Sequence, residues 1–414
     1  MEMLKYADIK FHYSNQQFSH SLDSDFGCFA IWKVARPYKA KIRQLFESNF
    51  EILLETEIHW SEKNFHSNAS RLYETPIYAN TANEELHSAH AEKIGDNKFI
   101  CFIIKDNSPK YTYAQSVSGK IEMSNLNIVD AKYQMRRWIE KDTGIKYGVH
   151  STNNIYEFFF QVPLLLGVEK FRKLLRGERL NVDKIEKDLE GVEGWNNYEE
   201  LFEILNLTTN YLVQRGFETF PEENLEMDID FLTDNYQRLA SAIGARQRKN
   251  QLYKGKILVD KKEVSVDIRF IGDKYYDVIW ENAMLHNKVV QNNIFIPRAD
   301  DYFFSLLFHA KAQKPSIKSK YIGILDNLSK KLNFQWYKAE LLENNTKIGE
   351  LLKGFYLAHG YSYEKPIDKE VYKNIEVIKQ LSQFNNSRYQ QVRSKILRIL
   401  PKSTVSFLKK FWKK

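Results

Sequence analysis

Apolar residues in this chain come in short runs, and none approaches the roughly 18 residues that a membrane-crossing helix needs. Phe26–Val34 (FGCFAIWKV) and Lys98–Asp106 (KFICFIIKD) are nearly unbroken, and Phe50–Ile58 (FEILLETEI) is a third such segment. Runs of this length, rich in Phe and Ile, read as buried strands. Ala40–Phe50 has apolar residues at helical spacing and falls between two of them. The first ~165 residues therefore alternate strand and helix, a pattern of packed layers rather than of a long single helix. Hydrophobic residues at 43% and aromatic residues at 14% supply the cores such layers need and exclude a disordered chain. Cys28 and Cys101 are the only cysteines, too few for a disulfide framework or a cysteine-rich zinc site. Met1–Lys10 is charged and has no apolar core of a secretory signal, so the cytoplasm is the expected compartment.

Further along, Val168–Trp195 is highly charged and is expected to be a helical connector over 166–195. A second unit starts at Asn196. Asn197–Gly216 has helical spacing and stops at Gly216, Leu225–Thr233 (LEMDIDFLT) reads as a strand, and Gly255–Gly272 as a hairpin turning at Asp260-Lys261-Lys262. Helical stretches follow at Tyr275–Leu285 and Ala299–Lys314, and Ile324 to about Gln390 is expected to be helical. The expected division is 1–165, 166–195, 196–323, 324–390 and a basic tail at 391–414.

The tail carries an uneven charge. The formal net charge is +8, yet beyond Glu376 there is no Asp or Glu and there are ten Lys or Arg, so the rest of the chain is close to neutral. Ile396, Leu397, Ile399, Leu400, Phe407, Leu408, Phe411 and Trp412 interleave with those bases. Basic amphipathic helices of this kind lie in the interface of anionic membranes, which points to a protein peripheral to the inner face of the cell membrane. A solvated helical end packed on the body is the competing reading. Nucleic acid is not expected as a partner, because the body has no basic face and no RNA-binding signature.

Three carboxylates stand out. Asp228 and Asp230 alternate with Ile229 on one strand, so both point to one side. Asp267 lies between Val266 and Ile268 on the second arm of the hairpin. Three acids from two strands of one sheet repel each other unless a divalent cation offsets their charge, and oxygen-only ligands select Mg²⁺ or Mn²⁺. No glycine-rich phosphate loop, HExxH or Cys/His cluster competes with this reading.

With the preceding helix, the Asp228-x-Asp230 strand and Asp267 in VSVDIRF, residues 196–320 resemble the nucleotidyltransferase superfamily. The resemblance implies that Asp228 and Asp230 bind metal, and that Asp267 completes the metal site or activates the nucleophile. It places donor phosphates near Arg215, His309, Lys311 and Lys314. Ile268–Leu285 looks like nucleotidyltransferase-like proteins of bacterial surface-polysaccharide gene sets, with Asp273 and Asp277 in support.

Residues 26–165 are similar to nucleoside diphosphate kinases. Lys33 ends the first strand, Ser118–Trp138 (SGKIEMSNLNIVDAKYQMRRW) resembles the arginine-bearing strand and turn, and Gly148–Asn154 (GVHSTNN) resembles the histidine segment. This implies a ferredoxin-like fold and a second phosphate pocket made by Lys33, Lys120, Arg137 and His150. Where the kinases carry Asn before the histidine this chain has Tyr147, so a purely structural domain with a core His150 stands equally open.

The whole reads as an α+β protein with a ferredoxin-like, nucleoside-diphosphate-kinase-like N-terminal domain, a nucleotidyltransferase-like mixed-sheet domain and a helical C-terminal region. The expected function is metal-dependent transfer of a polyol phosphate or sugar phosphate from a nucleotide-activated donor to a glycan or lipid-linked glycan in capsule or other surface-polysaccharide biosynthesis. The alternatives are a toxin-like nucleotidyltransferase acting on RNA or protein, phosphoribosyl-type transfer to a glycan, and a non-enzymatic scaffold of a polysaccharide assembly complex.

Overall fold

A computed structural model describes residues 24–75, 77–79, 89–115, 121–248 and 251–382. Lys120 and the tail at 391–414 lie outside the described residues. The fold mixes helices with several β-sheets. It separates into two compact units: the described parts of Met1–Arg269 with Val290–Ile296, and those of Phe270–Val289 with Pro297–Lys414.

The first unit contains a five-stranded sheet in the order Val149–Ser151, Asp25–Ile31, Lys98–Asp106, Glu51–His59, Lys184–Glu186. The first four strands run antiparallel to their neighbours, and Lys184–Glu186 adds a parallel edge. Every residue of Asp25–Ile31 is buried, because both faces of the sheet are covered. On one face Phe29, Ile31, Ile100, Phe102 and Ile104 receive Ile42 and Phe46 of the helix Lys39–Asn49, together with Ile128, Met135 and Ile139 of the helix Leu126–Thr143. On the other face Phe26 stacks on Phe158 of the helix Ile155–Leu166, with ring centroids 5.5 Å apart. The helix Leu126–Thr143 is opened by the Asn125 side chain accepting from Asn127 N and closed by Gly144 at φ 74°.

Of the charged stretch Val168–Trp195, only Val168–Leu175 is helical, and Phe171 and Leu174 bury its apolar stripe. Lys184–Glu186 joins the sheet instead, and Trp195 is buried with its indole N–H donating to Ile243 O. The stretch thus has more apolar anchorage than its charge suggests.

A six-stranded sheet carries the later acids, in the order Ile77–Ala79, Arg246–Arg248, Gln251–Val259, Lys262–Phe270, Asp228–Thr233, Tyr211–Val213. The hairpin turns as expected, with Val259 paired to Lys262 and both Asp260 and Lys261 at positive φ (50° and 59°). The helix before the acidic strand ends earlier than its spacing predicts. It spans Tyr198–Thr208, where the Thr208 and Thr209 hydroxyls donate back to Ile204 O and Leu205 O. Tyr211–Val213, buried throughout, then forms the strand beside Asp228–Thr233. A helix reading of Asn197–Gly216 fails there because β-branched threonines and an all-apolar triplet suit a sheet edge.

The second unit is helical, with Val278–His286, Ala299–Ala312, Ser319–Lys331 and Asn345–His359 among its helices. Trp280 is fully buried and stacks on Tyr361 at 5.6 Å, and Phe304 stacks on Phe355 at 3.9 Å. The stretch expected as helix from Ile324 is interrupted, since no regular element occupies Tyr361–Asn374 before residues 375–382 resume as helix. Among the described residues no helix is long and apolar enough to cross a membrane.

Candidate functional site

Strand alternation sets the acids. Along Asp228–Thr233, Ile229 is fully buried, Asp230 is half-buried and Asp228 is exposed. Ser265 N donates to Met227 O at 2.9 Å, which seats the acidic strand beside Lys262–Phe270. On that neighbour Val266 and Ile268 are buried, and Asp267 faces the other way. The three aspartates are therefore held on two adjacent strands within the first unit.

Their partners are arginines. Arg215 Nη2 donates to Asp230 Oδ1 at 2.6 Å, and Arg215 is only 7% exposed. It follows directly on Gln214, whose backbone N–H donates to Asp230 O at 2.8 Å. Arg269 Nη2 donates to Asp267 Oδ2 at 3.1 Å. Arg269 Nε also stands 2.9 Å from Asp267 Oδ1, but off the hydrogen-bond direction, so that buried oxygen accepts no hydrogen bond. The Arg269 guanidinium lies over the Tyr253 ring, 5.1 Å from its centre. Lys254 is the cross-strand partner of Asp267.

The electrostatics follow from this crowding. Burial pushes the Asp267 carboxyl above its ordinary value, and the charge of Asp230 pushes the same way, while Arg269 and Arg215 oppose both. A carboxylate whose ionisation is opposed by burial and by a neighbouring acid is a feature that catalytic and metal-binding sites share. Their oxygens are the donor type that Mg²⁺ or Mn²⁺ takes, although Asp267 Oδ1 already faces Arg269 Nε at 2.9 Å. The acids thus fit such a cation in chemistry. They are not gathered into a ready cage: among the described residues no group of three His, Cys, Asp or Glu side chains is arranged to hold a metal ion. The arginines stand on the carboxylates instead.

The other residues singled out from the sequence are dispersed. His309, Lys311 and Lys314 belong to the second unit. His309 is buried, and its Nδ1 pairs with the Tyr275 hydroxyl at 2.9 Å. Lys311 is half-buried, which lowers its pKa, and Lys314 is exposed. Asp277 caps the helix Val278–His286 through Ile279 N and Trp280 N, and its other oxygen takes Ser362 N and the Ser362 hydroxyl, both at 2.8 Å. Asp273 accepts from Tyr275 N within the loop before it. In the first unit His150 pairs through Nε2 with Gln161 Oε1 at 3.0 Å and sets its ring edge against Tyr73. Burial pushes its pKa down to about 3, and its charged neighbours are Lys132, Arg136 and His90. Lys33 and Arg137 are exposed, and neither forms a hydrogen bond or ion pair with it. A concavity of about 1510 Å³ in this unit is lined by residues such as Arg43, Glu55, Asp106, Asp130 and Asn181, and by none of the three aspartates.

Arg269 and Tyr253 escaped the sequence reading. The signal for Arg269 was present, since it stands two residues beyond Asp267 on one strand and so shares its face. Tyr253 becomes visible only through the hairpin register.

No family model, no curated protein and no solved structure matches this chain.

Proposed function

We propose that the edge formed by Asp228, Asp230 and Asp267 is the working centre of a metal-dependent transferase. It moves a phosphate-linked group, a polyol phosphate or sugar phosphate, from a nucleotide-linked donor to a glycan hydroxyl. The observation that supports this reading is the placement of Asp230 and Asp267 on neighbouring strands of a mixed sheet, where burial and the charge of Asp230 push the Asp267 carboxyl above its ordinary value. In this reading residues 196–323 are a nucleotidyltransferase-like domain. The four antiparallel strands within 1–165, with their two helices on one face, are a ferredoxin-like domain. The polysaccharide setting rests on the resemblance of Ile268–Leu285, and docking at the inner membrane face on the composition of 391–414.

Mg²⁺ held by the aspartate oxygens would offset charge on the phosphorus oxygens as it develops in the transition state. The chain's own part is to position and to move a proton. Asp267, whose pKa is raised, takes the proton of the acceptor hydroxyl. The new bond forms between that oxygen and phosphorus, and the bond from phosphorus to the nucleotide phosphate breaks, so the nucleoside monophosphate leaves with the electron pair. Arg215 is poised to meet donor phosphate through its planar fork.

The test is to incubate the full chain with Mg²⁺, a panel of nucleotide-activated polyols and sugars, and a lipid-linked oligosaccharide, with products read by mass. Transfer should appear with one donor and fall by about 100-fold or more in Asp230→Asn. Normal polysaccharide assembly in cells carrying Asp228→Ala/Asp230→Ala would overturn the proposal.

A further inference from the structure

We infer that the concavity beside the five-stranded sheet of the first unit is a binding site for a neutral oligosaccharide. Its walls come from the helix Lys39–Asn49, the strand Glu51–His59, the loop after Lys98–Asp106, the first turns of the helix Leu126–Thr143, and residues 179–183. All of them belong to one compact unit. None of the three aspartates of the proposed centre lines it, so the inference goes beyond the transfer reaction and does not rest on it.

The groups already occupied decide which ligands are unsuited. Lys39 pairs with Glu55 at 2.8 Å, and Arg43 stands between Glu47 at 2.9 Å and Glu55 at 3.2 Å. Arg179 lies 3.4 Å from Glu51. Three of the four lining cations therefore face carboxylates, and over the whole lining carboxylates outnumber Lys and Arg by three. A phosphate or other anion entering here meets net negative charge focused in a hollow. Asp106 accepts from Asn127 Nδ2 at 2.9 Å, Asn125 Nδ2 at 3.0 Å and Ser108 N at 3.0 Å, which ties the loop to the start of the helix Leu126–Thr143.

The groups still open decide what fits. Asn107, Lys110, Asp130, Gln134, Asn181 and Asp183 line the concavity, and among the described residues their side chains form no hydrogen bond or ion pair. The two carboxylates only accept, the ammonium only donates, and the three amides do both. An ammonium or guanidinium on a ligand only donates and an ionised phosphate only accepts, so each suits part of this set. A hydroxyl donates and accepts, and suits all of it. Leu45, Phe50 and Ile52, partly buried against the core, add apolar surface for the C–H face of a sugar ring. The volume, about 1510 Å³, exceeds the roughly 300–1,000 Å³ of small-molecule pockets, which favours a chain of several sugars over a single one.

The experiment probes the full chain against a printed array of neutral, sulfated and phosphorylated oligosaccharides, and measures the best-bound one by isothermal titration calorimetry. Neutral oligosaccharides should bind, and their sulfated or phosphorylated forms should bind less. Asp130→Ala/Gln134→Ala, one turn apart on a helix, and Asn181→Ala/Asp183→Ala should each weaken binding by about tenfold or more, the loss expected for two hydrogen bonds. Gln134 is half-buried and the other three are exposed, so both variants should fold, as circular dichroism would check. Glu62→Ala/Glu199→Ala, exposed and outside the lining, removes more charge and should bind as the wild type does. Three results would each overturn the inference: no neutral oligosaccharide bound, equal affinity in the wild type and both lining variants, or hexalysine bound more tightly than any neutral oligosaccharide. No transfer is assayed, so failure of the proposed reaction leaves this result standing.

Discussion

Several buried polar residues in this molecule act as internal caps, and their chemistry is local. Arg71 is fully buried without a carboxylate, donating to Ser241 O at 2.8 Å and to Ala242 O and Glu190 O at 2.7 Å. It closes the C-terminal carbonyls of the helix Tyr236–Ile243, where the helix dipole favours a cation. Arg71→Met keeps much of the volume but strands three acceptors, each worth roughly 1–3 kcal/mol when orphaned, so it should cost about 3–5 kcal/mol by urea unfolding. Glu281 shows the acidic counterpart. Its two oxygens accept from Gly272 N at 2.8 Å and Tyr276 N at 3.2 Å, and burial beside Asp273 pushes its pKa from 4.5 to about 8. The folded state holds this proton where the unfolded chain has lost it, so stability is greatest below about pH 4.5 and falls as pH rises through 8. Denaturant midpoints should drop between pH 6 and 8. Glu281→Gln should flatten that slope while lowering stability overall, since an amide offers one acceptor oxygen to two N–H groups.

At the scale of elements, turns and strand ends decide where the acids sit. Asp260 and Lys261 both occupy positive φ in the hairpin whose second arm carries Asp267. A side chain in this region is strained by roughly 1–2 kcal/mol, so Lys261→Gly should raise stability by about 0.5–1 kcal/mol without altering Asp267, as read by thermal unfolding. The early stop of the helix Tyr198–Thr208 has a larger consequence. It frees Tyr211–Val213 to pair with the acidic strand and sets Arg215 just past that pairing, within reach of Asp230. Had the helix run on to Gly216, the sheet would lose its edge strand and Asp230 its arginine.

For the whole molecule, the two compact units divide the expected site residues. The aspartates and both arginines fall in the first unit, and His309, Lys311 and Lys314 in the second. The membrane proposal belongs to this scale as well. Full-length chain should co-sediment with vesicles containing anionic phosphatidylglycerol, release as salt is raised, and lose binding when residues 391–414 are removed. Retained binding by the truncated chain would move the contact to another surface.

The sequence by itself determined the short buried strands, the hairpin and its turn, and the side to which Asp228, Asp230 and Asp267 point. Strand alternation and turn chemistry act over a few residues and are written in residue order. Only the tertiary structure decided what those acids meet. Arg215 is fifteen residues from Asp230, and Tyr253 reaches Arg269 across the hairpin, so these pairings depend on strand order and register. The same holds for His150, a phosphate ligand or a core residue by sequence, whose hydrogen bond to Gln161 is set by how a helix packs on the sheet. Charge pairing and burial are sums over neighbours from distant segments, and residue order does not list those neighbours.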